Sequence, residues 1–218
     1  MDFESVIRGR RSIRAYRPEP VPESTVREIL DNSRWAPSWR NTQAWDVWVL
    51  SGAALDGAFE GFLEALQRGA GLEMPVTAEW PEACSARTAD LMKVRKATLD
   101  AAGEASDPAT ALARMADLFG APCLIVFGFD ECLAEAYASF DTGMLAMNAT
   151  LAATDKRLGS CLLATPLRYS PILRTVLPNA EGKRFVIAMT LGVPDLESPA
   201  NTFARSRADL DEIVTWVS

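Results

Sequence analysis

The chain has 218 residues, 49% of them hydrophobic and 23% charged, with a net charge of −7. That composition suits a globular protein of one large domain or two small ones, and its acidity argues against a general nucleic-acid binder. Histidine is absent, which removes Ser-His and Cys-His nucleophile pairs and the usual zinc ligands, so hard chemistry here would belong to a cofactor.

No apolar run reaches the length of a membrane-spanning helix, and MDFESVIRGRRS lacks the pattern of a secretory signal. Cys84, Cys123, Cys132 and Cys161 form no C-x-x-C pair. A reduced, cytoplasmic protein without a disulfide framework is expected.

In chain order, residues 2–8 read as a short helix ended by Gly9, and Arg17-Pro18-Glu19-Pro20 is extended because two prolines exclude helix. A second helix starts near Pro22 and runs to about Trp35, with Val26, Ile29 and Leu30 on its buried face. Pro37 to Gln43 is a polar loop, and Trp45 to Leu50 a strand. Ser51 caps a helix through about Gln67, with Leu55, Phe59, Phe62, Leu63 and Leu66 as its apolar stripe.

Residues 68–82 are an irregular excursion, followed by a helix from Glu82 to about Ala102 with Leu91, Val94 and Leu99 inward. Asp107-Pro108 is an N-cap and first helical position, opening a helix to Phe119. Cys123 to Phe129 is a buried strand, and Leu133 to Leu158 a long helix, apolar or small on most sides, packed all round and ended by Gly159. Ser160 to Ala164 is a short strand, Ser170 to Val176 a helix and Phe185 to Leu191 a strand; an amphipathic tail carries Leu210, Ile213, Val214 and Trp216. This mixture predicts an α+β sandwich, a central mixed sheet covered by helices, in a single domain over 1–218.

One stretch departs from the acidic average. Arg10-Arg11-Ser12-Ile13-Arg14 gathers three guanidinium groups and a hydroxyl within five residues, and Arg205-Ser206-Arg207 repeats the theme near the other end. Alone, each reads first as a solvated basic turn. Planar guanidinium forks also suit phosphate oxygens, and with neither a Walker sequence nor a G-x-G-x-x-G present, a phosphate would be held by side chains. The loop Pro37-Ser38-Trp39-Arg40-Asn41-Thr42-Gln43 reads either as a plain helix-to-strand turn or as donors and acceptors for a planar, polar-edged ring.

Together RRSIRAYRPEPVP (10–22), APSWRNTQAW (36–45), GSCLLATP (159–166), LGVPD (191–195) and RSR (205–207) resemble the FMN-dependent nitroreductase family. The resemblance implies an intertwined homodimer of α+β fold with FMN at the subunit interface. It places Arg10, Arg11 and Ser12 on the phosphate and ribityl side, Arg14 at the pyrimidine edge, and Arg205 and Arg207 closing on the phosphate. Pro37, Ser38, Trp39, Asn41 and Gln43 would come from the other subunit, and Leu162, Leu163, Ala164 and Thr165 would line the ring. Residues 68–106 would form an insertion or lid shaping the substrate pocket. Ala44 stands where a proline often follows the glutamine, and no equivalent of the asparagine and lysine supplied mid-chain by other members is found. The implied activity is hydride transfer from NAD(P)H to FMN and then reduction of a nitroaromatic or quinone-like acceptor, in a ping-pong scheme without a metal. A different acceptor (enone reductase or dehalogenase type) and a non-catalytic flavin-binding protein are the alternatives.

Overall fold

The structure, a computed structural model, describes residues 1–68 and 77–217. Its elements, in chain order, are α1 (Phe3–Gly9), α2 (Glu23–Ser33), β1 (Trp45–Ser51), α3 (Ala53–Gln67), α4 (Glu82–Ala101), α5 (Pro108–Ala116), β2 (Cys123–Asp130), α6 (Glu135–Asp155), β3 (Gly159–Leu163), α7 (Ser170–Val176), β4 (Lys183–Gly192), α8 (Pro199–Thr202) and α9 (Leu210–Ile213).

The continuous apolar run of β2 is explained by a sheet covered on both faces. Cys123, Ile125 and Phe127 point to one side, where they meet Leu145, Ala146, Ala149 and Ala153 of α6 and Val26 and Ile29 of α2. Leu124 and Val126 point to the other, where they join Leu55, Ala58 and Phe62 of α3 and Leu173 of α7. The small side chains along α6 let that helix lie close to the strands.

The sheet order is β1-β2-β4-β3. The sequence reading expects a mixed sheet, but the three described strand pairs are all antiparallel. The parallel contact is an isolated bridge between Ser12 and Ser160. Strand spans alone do not reveal direction, because direction depends on how the intervening helices return the chain.

Local chemistry sets several boundaries. Asp2 caps α1, accepting from the Ser5 N–H at 3.0 Å. Asp107 caps α5 in the same way through Thr110, with Pro108 at the first helical position as expected. That helix stops at Ala116, before the expected Phe119, and a 3-10 turn spans Leu118–Gly120. The α6 helix stops before Gly159. Arg157 takes φ 60°, while the N–H groups of Arg157 and Leu158 donate to the carbonyls of Thr154 and Ala153, which closes the helix in a Schellman turn. Gly159 serves a different need: a Cβ there would lie 2.8 Å from the Ile13 side chain.

Two expected burial patterns differ from the structure. Leu99 of α4 is buried, but Leu91 and Val94 are exposed. The α6 helix is not covered all round, since Tyr137, Phe140 and Met147 are exposed on the face away from the sheet. Apolar spacing marks a stripe that wants cover; it does not say whether this chain supplies it. Of the expected excursion and lid, residues 69–76 lie outside the described residues, and the following part is mostly α4.

Gly128 sits at the irregularity in the β2–β4 ladder. A Cβ there would lie 2.6 Å from the Arg184 carbonyl oxygen, a backbone atom with little freedom to retreat. Gly128→Ala is expected to cost about 1–3 kcal/mol. Gly57→Ala, in a helix with no atom within 4 Å of the new methyl group, is expected to stabilise by about 0.5–1 kcal/mol. Chemical denaturation of the two variants tests both signs.

Candidate functional site

The two ends of the chain meet at one place. The Ile13 N–H donates to the Ser160 carbonyl at 2.9 Å, the Arg17 N–H to Val193 at 2.9 Å and the Asp195 N–H to Ala15 at 3.1 Å. Residues 12–17 are thus laced between β3 and the segment after β4. Asn201, buried in α8, completes the join: its Oδ1 accepts from the Arg14 N–H at 2.6 Å, and its Nδ2 donates to the carbonyls of Ala15 at 2.9 Å and Asp195 at 2.7 Å. A cavity of about 800 Å³ opens beside this join, lined by Arg10, Arg11, Ser12, Arg14, Phe203, Arg205 and Arg207 and, across from them, by α4 residues including Arg87 and Leu91.

The arginines around this cavity have different duties. Arg205 donates to the backbone carbonyls of Arg8, Gly9 and Arg10, at the C-terminal end of α1, where a cation is favoured by the helix dipole. Arg11 donates to the Phe203 carbonyl at 2.7 Å, and the guanidinium groups of Arg11 and Arg14 lie 5.7 and 5.8 Å from the centre of the Phe203 ring. Among the described residues Arg207 donates only to its neighbour, the Ser206 carbonyl. Among the described residues no carboxylate forms an ion pair with Arg10, Arg11, Arg14, Arg205 or Arg207. Burial, and then the charge of Arg207, lower the pKa of Arg10; burial and Arg14 do the same to Arg11. Asp90 and Glu212 also line the cavity, but Glu212 is paired with Arg87, and cations crowded together without a paired carboxylate of their own favour an anion.

Residues missed in the sequence take part. Arg87 of α4 lines the cavity and pairs with Glu212 of α9 at 2.7 Å. Phe203 and Asn201 hold the arginine stretch in place, and nothing in the spacing around them marks either one. Close to the arginine stretch lies Cys161, a buried thiol raised by burial, against which Arg14, Ser12, Arg10 and Arg95 act in the lowering direction.

The loop Pro37 to Gln43 is not at this cavity. It is held against α6, where the Trp39 N–H donates to the buried Asp141 Oδ2 at 2.9 Å and the Trp39 ring stacks on Tyr137 at 5.4 Å. Ser38 Oγ accepts from the Gln43 N–H at 2.9 Å. Arg40, Asn41 and Gln43 all have φ between 47° and 57°, a region that costs a non-glycine residue about 1–2 kcal/mol. Such strain is typical of sites where backbone position matters more than stability.

The strand-end residues divide again. Leu163 turns its side chain into the core, leaving only its backbone for a ligand, whereas Leu162 is exposed. Thr165, beyond Ala164, places its Oγ1 3.8 Å from the Met115 sulfur.

Two measurements test this division. Arg205→Ala is expected to lose about 1–2 kcal/mol of stability, because three backbone carbonyls lose their donor at a partly solvated site. With no ligand bound, Arg207→Ala is expected to stay within about 0.5 kcal/mol of the parent. Iodoacetamide on the native protein at pH 8 is expected to modify the exposed Cys132. Cys161 and Cys123 are expected to remain unmodified in intact-mass spectra, since burial raises both thiols, Cys123 to about 12.

Comparison with known proteins agrees with this architecture. The Nitroreductase family pattern matches residues 7–193. The chain is 32% identical to the chloronitrobenzene nitroreductase of Comamonas testosteroni, covering 99% of this chain and 96% of that protein. The crystal structure of the FMN-dependent nitroreductase NfnB from Mycobacterium smegmatis in complex with NADPH superposes with a TM-score of 0.88 at 29% identity, covering 99% of this chain and 97% of that one. The FMN and NADPH-dependent nitroreductase NfnB from sphigopyxis sp. strain HMH has the same fold, with a TM-score of 0.91 at 22% identity and full coverage of both chains. With the match running through both the arginine stretch and the sheet, this chain belongs to the nitroreductase family.

Proposed function

We propose that the protein is an FMN-dependent oxidoreductase that takes hydride from NAD(P)H and reduces a nitroaromatic or quinone-like acceptor by a ping-pong mechanism, as a homodimer. The observation that carries this reading is the pair Arg10 and Arg207, two neighbouring cations that pair with no described carboxylate and that both line a cavity of about 800 Å³. A terminal phosphate supplies the missing negative charge, and the volume suits a ligand with a ring system attached. The related NfnB is FMN-dependent and binds NADPH.

When bound, FMN supplies the two-electron chemistry that this chain lacks. The chain's own residues bind and orient. Arg10, Arg207 and Ser12 hold the phosphate side, with Arg11 behind them. Arg205 acts by positioning, since its donors fix the backbone that carries Arg10. Arg14 brings a cation, steadied by Phe203, to the pyrimidine edge; a fixed cation favours negative charge gained by a bound ring. Leu162, the Leu163 backbone, Ala164 and Thr165 line the ring.

Pro37, Ser38, Trp39, Asn41 and Gln43 serve the site of a second subunit. Their strained backbone, held by Asp141, and the uncovered Phe3, Ile7, Tyr137 and Phe140 support a face built for another copy of the chain. The chain acts as one domain, with the segment 68–106 an insertion or lid that shapes the substrate pocket.

Purified protein is expected to be yellow, with about one FMN per chain and the mass of a dimer in light scattering. NADH or NADPH is expected to bleach the flavin anaerobically before any acceptor is added. Arg10→Ala and Arg207→Ala should each weaken FMN retention about tenfold or more. Colourless protein that cannot be reconstituted with FMN overturns the cofactor, and unchanged retention removes those two arginines from the phosphate site.

A further inference from the structure

A second cavity, of about 260 Å³, lies between α4 and α5. Its walls are largely apolar, with Met92, Leu99, Pro108, Ala111 and Met115 among them. Three cations also face it: Arg95, Lys96 and Arg114. Two of them have acids. Lys96 pairs with Asp100 at 2.5 Å and also reaches Ser106 at 3.3 Å, and Arg114 pairs with Glu104 at 3.0 Å.

Arg95 has none. Its Nε is buried without a hydrogen-bond partner, the sole such side-chain atom among the described residues. The charged side chains that act on it, Arg14 and Arg114, have the same sign. Leaving a charged donor buried and unsatisfied costs more than a hydrogen bond normally returns, so this arrangement calls for a partner that the chain does not contain.

The location indicates what that partner is. One face of α4, with Arg87 and Leu91, lines the large cavity, and the adjoining face, with Met92, Arg95 and Leu99, lines the small one. Arg95 therefore stands between the two cavities, close to Arg14. Met115, on the opposite wall, is the residue that Thr165 touches. A small inorganic anion would satisfy Arg95 but leave the apolar walls facing water. A single aromatic ring bearing a carboxylate satisfies both, with Nε and a terminal nitrogen gripping its two oxygens side by side.

We propose that Arg95 is a specificity residue that binds the carboxylate of an aromatic acceptor in the cavity between α4 and α5, making monocyclic aromatic carboxylates a preferred substrate class. This rests on the reading of the large cavity as the FMN site, but the binding step is testable without turnover.

Benzoate, which carries no reducible group, is titrated calorimetrically into FMN-loaded protein, or into the protein as purified if it holds no FMN. Binding is expected in the parent, weakened about tenfold or more in Arg95→Met and only partly kept in Arg95→Lys, which retains the charge but not the two-pronged grip. In steady-state assays with NAD(P)H, the ratio of kcat/KM for 4-nitrobenzoate to that for its methyl ester is expected to fall by a similar factor in Arg95→Met, chiefly through KM. FMN content is measured in every variant.

Absence of benzoate binding, or equal binding in the parent and Arg95→Met, overturns the proposal. So does an equal loss on acid and ester. Loss of FMN from Arg95→Met also overturns it, by placing Arg95 on the cofactor instead. If the protein binds no flavin but binds benzoate through Arg95, the functional reading fails while the carboxylate site stands.

Discussion

The amide of Asn201 is the constraint on which the site depends. Buried in α8, it satisfies the Arg14 N–H and the carbonyls of Ala15 and Asp195 at once. The Arg14 N–H and the Asp195 carbonyl would otherwise lose their partner at a half-buried site, at about 0.5–1.5 kcal/mol apiece. The bonds of Ile13 to Ser160 and of Arg17 to Val193 extend the same seam. Arg10 to Arg14 and Arg205 to Arg207 face one cavity because this seam closes the chain upon itself. The sheet supplies the rigid base, since β3 and β4 present Ser160 and the Val193 segment from a core packed on both faces.

The seam also makes the protein hold charge at a disadvantage. Guanidinium groups of one sign crowd the cavity, and burial and mutual repulsion both lower the pKa values of Arg10, Arg11 and Arg205. Part of the cost is offset locally, by backbone carbonyls for Arg205 and by the Phe203 ring for Arg11 and Arg14. The remainder is available to an anion, whose binding would stabilise the folded chain through mass action. The three left-handed residues of the 40–43 loop hold strain in the same sense. Natural proteins break local rules where function requires it, and these two places are among those where this one breaks them.

Much of the fold was legible. The run Cys123 to Phe129 could only be buried, because an apolar segment of that length and β-branched content has no exposed face to spare. The Asp107-Pro108 start of α5 was readable because capping is local chemistry. The end of α6 was not, because a Schellman turn with arginine at the left-handed position carries no compositional signal; Gly159 looked like the terminator but answers to Ile13, more than a hundred residues away. The exposure of Leu91 and Val94 and the antiparallel sense of the sheet were invisible for the same reason. Both depend on which surfaces meet, and periodicity within one element does not contain that.

For the candidate site the division runs along similar lines. The sequence by itself determined the ingredients: two arginine groups, an amide-rich loop, and no histidine to suggest other chemistry. These are matters of residue type and short spacing, and residue type is what sets charge and hydrogen-bonding capacity. Only the tertiary structure decided their duties. It separated Arg205, bound to the end of α1, from Arg10 and Arg207, neighbours that pair with no described carboxylate; it brought Arg87 and Phe203 to the cavity; and it left the Arg95 Nε buried without a partner. The physical reason is that a guanidinium group's role follows from which acceptors stand within about 3 Å of it, and in a folded chain those acceptors come from residues far away in sequence.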